Sequence, residues 1–368
     1  MKTTKLIFKL FLLSIVFISC TEDDSSDLTE LLDTYENGII VSAEGSYGSK
    51  DGSLSFIAGD YSTASNFVYK SVNGAQLGGL IQSVAFNGDD AYIVLNDANS
   101  IVVVDRYTFV QKAVITDDLN NPRYMAFANG KGYVTNWGDS NVVTDEFIAV
   151  VDLALNKVES TFEISNGPER IVSKNNILYV SNKGGTGYGT PYNNIVSVID
   201  TDANNRISTI IVKDAPDDLV FNSVGNLVVL SQGEESSWVE GDNGIWYPEV
   251  ETIAAIQTID ISSNTLISTI EFTEGIHPNL LDVDGGNIYY HINYSGVFSI
   301  EENATELSQG DAITTDKLYG MTVKEGKLYG VQYSFEALSK LTITDVNSKS
   351  TLYSTAVGLG ASKIYFNE

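Results

Sequence analysis

Two of the four arginines in this 368-residue chain, Arg123 and Arg170, stand just after a proline that opens an apolar strand, in NPRYMAF and GPERIVS. The matching place in similar stretches holds Gln82, Asp217, Asp218, His277 and Asn279. A guanidinium presents a planar fork of donors, so a pair of them at equivalent positions fits a carboxylate, a phosphate or a row of carbonyls. The same groups equally serve to neutralise nearby acids such as Glu169. The two histidines of the chain, His277 and His291, with neighbouring carboxylates make a thin set for a transition metal or an axial contact to a cofactor's metal, and no metal site is assigned to them. Asp217, Asp218, Asn279 and His291 together could support metal-assisted hydrolysis. Yet no nucleophile elbow, zinc-protease pattern or Ser-His-Asp set accompanies them, and an enzyme is not expected.

A second group is aromatic. All three tryptophans, Trp137, Trp238 and Trp246, fall in polar stretches between strands, joined there by Tyr47, Tyr188, Tyr192, Tyr247, Tyr294, Tyr333 and Phe335. Rings on solvated loops of a rigid scaffold point to a binding surface; the alternative is that they pack on one another. The stretch QGEESSWVEGDNGIWYPEVE also carries Glu234, Glu235, Glu240, Asp242, Glu249 and Glu251. These acids allow calcium binding without specifying it, because the D-x-D-x-D-G spacing of a calcium loop is missing. No cofactor is required by any motif.

The elements that position these groups repeat. Apolar runs ending in an acid close at Asp105, Asp152, Asp200, Asp260, Glu301 and Asp345, at intervals of 47, 48, 60, 41 and 44 residues. Before each lies a tyrosine-rich strand (GYVTN, LYVSN, IYYHIN, LYGVQY), and before that an opening strand that often begins with proline. After each a polar turn leads into a further strand, so the unit is four short strands rich in Val, Ile, Thr and Tyr, with no helix. This is the span of a propeller blade. The recurrent Asp is expected to accept backbone N–H bonds in its turn. The final GASKIYFNE reads as an opening strand with nothing after it, and NGIIVSAEG near the beginning as a second strand with nothing before it. Joined, they complete a seventh blade and leave few open sheet edges.

YVTN at 133–136 and YVSN at 179–182 resemble the YVTN or surface-layer type of seven-bladed propeller, over residues 37–368. The resemblance implies an all-β ring of seven four-stranded blades closed by strands from both termini. In such a ring the loop after the second strand and the start of the innermost strand share one face, the top. The long loops 45–52, 137–146, 183–194 and 232–251 therefore belong there, with those of blades three, four and five walling one side of a bowl. Propellers of this type also include lactonases and related hydrolases, which keeps hydrolysis as an alternative.

The chain opens MKTTKLIFKLFLLSIVFISC, a basic and then apolar leader too short to span a bilayer comfortably. Cys20, the only cysteine, resembles the lipobox position of bacterial lipoproteins, with Phe17 in place of the usual Leu; residues 1–19 then form the signal peptide and 20–36 a lipidated, acidic, disordered tether. Glu22, Asp23 and Asp24 resemble the signal that carries such lipoproteins to the outside of the outer membrane. The formal charge is −27, and loss of Lys2, Lys5 and Lys9 with the leader brings it to −30, which disfavours nucleic acid. A lipid-anchored propeller of this kind is similar to the Bacteroidetes surface cobalamin-binding lipoproteins. That resemblance implies capture of a corrinoid and delivery to a TonB-dependent outer-membrane transporter. A glycan-binding or protein-binding surface propeller is the alternative. The residues expected at the ligand are Trp137, Tyr188, Tyr192, Trp238, Trp246, Tyr247, Tyr294, Tyr333, Arg123, Arg170, Asn279, His277 and His291.

Overall fold

The central strand IVVVD, residues 101–105, is buried along almost its whole length, whereas the outer strand Lys157–Glu163 is mostly exposed. A strand covered on both faces by neighbouring sheets must be apolar throughout, and a strand at the rim needs no such run. The computed structural model describes residues 35–46, 48–139, 141–187, 190–235, 238–240, 244–248 and 251–368, with backbone alone at 238–240, 247 and 248. Cys20, the leader, most of the tether, Tyr47, Tyr188 and Glu249 lie outside the described residues, as do the side chains of Trp238 and Tyr247.

Seven antiparallel sheets form the propeller. The innermost strands are Ala361–Asn367 in blade one, then Ile81–Asn87, Pro122–Ala128, Pro168–Lys174, Pro216–Phe221, Pro278–Asp284 and Gly320–Lys324 in blades two to seven. In blade one, Ala361–Asn367 pairs with Gly38–Ala43, placing Asn367 opposite Gly38, Tyr365 opposite Ile40 and Lys363 opposite Ser42. The ring is thus closed by strands from both ends of the chain.

Two details depart from the repeat. Blade six has three strands, not four: after Glu301 the polar segment EENATELSQGDAITTD lacks strand periodicity and contributes only the bridge Val297–Thr314. A short helix, Val68–Asn73, links blades one and two, in a chain expected to have none. Tyr35, assigned to the tether by sequence, belongs to the domain: its ring meets Phe56 and Phe109 edge-on, with centroids 5.3 and 5.2 Å away.

The turn aspartates behave as expected. Asp152 accepts from the N–H groups of Ala154 and Leu155 at 2.9 and 3.0 Å, and Asp105, Asp200, Asp260 and Asp345 make the same kind of bond. Each joint between blades also carries a polar stitch. Examples are Ser83 Oγ to the Arg123 carbonyl (2.7 Å), Leu281 N–H to Asp218 Oδ2 (2.8 Å), Val323 N–H to Asp282 Oδ2 (2.8 Å), Ala361 N–H to Ser339 Oγ (3.0 Å) and Val84 N–H to Tyr365 Oη (2.9 Å). At the joint of blades seven and one a Cβ on Gly320 would stand 1.8 Å from the Ser362 carbonyl oxygen. Gly320→Ala is therefore expected to force the two innermost strands apart and lower stability by about 3 kcal/mol, the upper part of the overpacking range. A urea melt within about 0.5 kcal/mol of the parent would show that this joint yields freely.

Candidate ligand-binding site

Six of the seven innermost strands begin with a one-residue bulge against their partner, at 81–83, 122–125, 168–171, 216–219, 278–280 and 361–363. A bulge inserts an unpaired residue and re-aims its neighbours. Here that turns two successive side chains of each strand toward the axis. The result is a top-facing axial chamber of about 750 Å³, whose polar lining includes Gln82, Arg123, Glu169, Arg170, Asp217 and Lys363.

Charges in this chamber are matched across blades. The Arg123 guanidinium donates to both Glu169 oxygens at 2.8 and 2.9 Å and to Gln82 Oε1 at 2.7 Å, and its plane lies 3.8 Å from the Trp137 ring. Arg170 reaches Asp218 at 2.7 Å and Asp217 at 3.7 Å while resting 4.4 Å above the Tyr124 ring. Asp217 also receives Lys183 at 2.7 Å and the Gln232 amide at 3.0 Å. Burial alone would raise Asp217, but Lys183 and Arg170 hold it below the usual carboxylate range. Asp218 is pushed up to about 6 by burial and by the Asp217 charge, against the pull of Arg170. Of the two roles open to these arginines on sequence alone, the geometry displays the neutralising one.

The histidines serve the walls. His291 is fully buried and does not line the chamber. Burial lowers its pKa; Nδ1 lies 2.6 Å from Asn279 Oδ1, and Nε2 lies 3.2 Å from the Asp316 carbonyl and 3.3 Å from the Leu318 N–H. It fixes the Asn279 side chain, which does line the chamber. His277 also stands off the lining, with Nδ1 on the Gln232 carbonyl at 2.7 Å and Nε2 on Glu251 at 3.2 Å. Neither histidine lines the chamber, and every ring nitrogen has a protein partner. Trp137 likewise stacks against the Arg123 guanidinium and does not line the chamber. Among the described residues no cluster of three His, Cys, Asp or Glu side chains is arranged to hold a metal ion.

The rim divides into two parts. The insertion in blade five forms a hairpin of Trp238–Glu240 with Trp246–Pro248, and Trp246 is half exposed. Tyr192 of blade four is also exposed and lies over Gly185. On the blade-seven side Tyr319, Tyr333 and Phe335 cluster with centroids 4.9 to 6.4 Å apart, all partly exposed, and Tyr319 lines the chamber. Tyr294, 83 % exposed, accepts from Lys317 Nζ at 3.1 Å at the outer edge of this cluster. Sequence reasoning passed over Tyr319, Tyr124, Lys183 and Lys363. Lys363 was within reach, because SK in GASKIYFNE occupies the bulge register of RY in NPRYMAF.

Solved structures share this architecture at low identity, which speaks for the fold alone. A quinoprotein alcohol dehydrogenase-like protein of Bacteroides thetaiotaomicron aligns with TM-score 0.65 and 15% identity over 91% of this chain and 79% of its own. A functionally unknown protein from Desulfotomaculum acetoxidans gives 0.59 and 14% over 90% and 98%. The dihydro-heme d1 dehydrogenase NirN in complex with DHE gives 0.53 and 12% over 89% and 75%. No curated protein sequence matches the chain. Residues 37–229 match the family model described as Domain of unknown function (DUF5074), and the chain belongs to that family.

Proposed function

We propose that this propeller captures a small polar nutrient at the mouth of its axial chamber and releases it intact. The observation that carries this reading is the chamber itself, whose polar lining is held in place by pairing across blades and whose rim carries exposed rings. A cavity of ~300–1,000 Å³ with convergent polar groups is the usual form of a small-molecule site. A corrinoid is the first candidate: its ring, too broad for the chamber, would lie across Tyr319, Tyr333 and Phe335 while one polar arm descends. Acylated Cys20 would hold the protein on the outer membrane, and a TonB-dependent transporter beneath would receive the ligand. A glycan is the second reading, favoured by the same aromatic cluster, since sugar faces stack on such rings.

Titration calorimetry of the chain without its leader, against cyanocobalamin and a panel of neutral and acidic oligosaccharides, tests this. The expected result is one-to-one binding by one of these classes, weakened at least about tenfold in Tyr319→Ala with the thermal midpoint shifted by no more than about 4 °C. Heat from none of them, or undiminished binding in Tyr319→Ala, would overturn capture at this mouth.

A further inference from the structure

Every cation of the chamber but one has a carboxylate partner. Arg123 is paired with Glu169, Arg170 with Asp218, and Lys183 with Asp217. Among the described residues no acid is paired with Lys363, whose Nζ lies 5.7 Å from the centroid of the Tyr124 ring. Arg170 lies 4.4 Å from the centroid of the same ring, so two positive groups share one aromatic neighbour. Tyr124 Oη accepts from the Gln82 amide at 3.3 Å, which leaves its own O–H free to donate into the chamber.

An ammonium placed beside two guanidinium groups is destabilised by like-charge repulsion unless an anion joins it. Burial, together with Arg170 and Arg123 and against the opposing pull of Glu44 and Glu169, brings the Lys363 pKa down to about 8. Nothing in the fold needs that lysine, since Ser83, its counterpart in the blade-two register, does the same backbone work without a charge. A destabilising charge in the wall of a ligand chamber is a feature expected of function, not of folding.

We infer that Lys363, with the Tyr124 hydroxyl, is an anion receptor in the chamber, so that the ligand inserts a phosphodiester or carboxylate group there. This rests on ligand capture at the axial mouth and names the ligand's chemistry. The shared feature would be the nucleotide-loop phosphate of a complete corrinoid or the carboxylate of an acidic sugar. Bound anion raises the lysine pKa, so affinity is full below about pH 8 and declines above it as the free amine loses its proton. Glu44 and Glu169 face the same space, Arg123 and Arg170 remain cationic throughout that window, and Tyr124 and Tyr319 stay protonated, burial having raised both.

The test pairs ligands that differ only in the anion: cyanocobalamin with dicyanocobinamide, which lacks the nucleotide loop, and glucuronate with glucose, each titrated into parent protein and Lys363→Met at pH 7 and pH 9. One pair is expected to show a preference of at least about tenfold for its anionic member at pH 7, diminished at pH 9 and absent in Lys363→Met. Which pair responds identifies the source of the anion. Lys363→Met is also expected to raise the thermal midpoint at pH 7 by about 2 °C or more, through loss of the unpaired charge. Equal binding of both members of each pair would overturn the receptor while leaving capture at the mouth intact. Anion preference that survives in Lys363→Met would move the receptor to another residue and overturn this assignment. A fall in the midpoint of Lys363→Met would also count against it, as showing that the fold depends on the lysine. Absence of binding by all four probes would overturn the receptor, whereas oligosaccharide binding in the wider panel would preserve the capture reading.

Discussion

A chain ending at residue 360 is expected to lose its cooperative unfolding transition. The deletion removes Ala361–Asn367, which supplies the innermost strand of blade one and its six-residue pairing with Gly38–Ala43. It also takes Tyr365, which receives Val84 N–H from blade two, and Phe366, whose ring meets Tyr329 of blade seven with centroids 5.0 Å apart. Asn367 is completely buried and fully used: its amide donates to the carbonyls of Tyr35 (2.6 Å) and Arg106 (2.8 Å), and its oxygen accepts from Arg106 Nε (2.7 Å). Burying Ile364, Tyr365 and Phe366 contributes roughly 1.5–3 kcal/mol each, and each buried hydrogen bond about 1 kcal/mol. The loss reaches or exceeds the ~5–15 kcal/mol that holds a domain folded. Circular dichroism on heating is expected to show a broad, non-cooperative decay, and a peptide spanning 359–368 added in trans should restore a sharp transition. A sharp melt within a few degrees of the parent would mean that six blades and an open edge suffice.

Arg170→Ala carries the second largest expected effect. The guanidinium is about one quarter exposed, lies 2.7 Å from Asp218 and covers the Tyr124 ring. Removing one partner of a largely buried ion pair leaves an uncompensated charge and typically costs ~3–5 kcal/mol. Lys183 and the Gln232 amide still serve Asp217, but Asp218 keeps only the Leu281 N–H. The sign of the pH dependence follows. Asp218 is already raised to about 6 in the folded protein, and loss of the cation raises it further above its unfolded value. Its ionised form then opposes folding, so the deficit is full near pH 8 and shrinks as pH falls toward 5. Urea unfolding at the two pH values measures this. A deficit that stays constant or grows on acidification would show that Asp218 is not the group left unpaired. Arg170→Lys is expected to recover part of the loss, since it restores a charge without the two-pronged geometry.

The blades were legible in the sequence because sandwiched strands must be apolar on both faces and because most end in an Asp that closes its turn. The shared top face followed from strand direction alone. What the sequence hid lay between repeats. Arg123 and Glu169 are 46 residues apart and come from adjacent blades, so nothing in either repeat announces that they meet. Blade six hides its missing strand in a polar segment of ordinary length. Lys363 escaped because the last strand lacks the proline that marks four other starts, and its sheet partner lies more than three hundred residues earlier. Tyr319 lies just past that polar segment, immediately before the first strand of blade seven. The burial of His291 was equally hidden, since a histidine at the end of a second strand carries no mark of it in the sequence.

The closing strand also sets an order of events. Gly38–Ala43 must wait with one side unpaired until Ala361–Asn367, more than three hundred residues further on, arrives beside it. Blades two to seven can each assemble from contiguous sequence, but the hoop cannot. Contacts so distant along the chain are slow to form. The domain therefore folds through an open crescent with an apolar lip, and the chamber at its centre comes into being only when Ala361–Asn367 closes the ring.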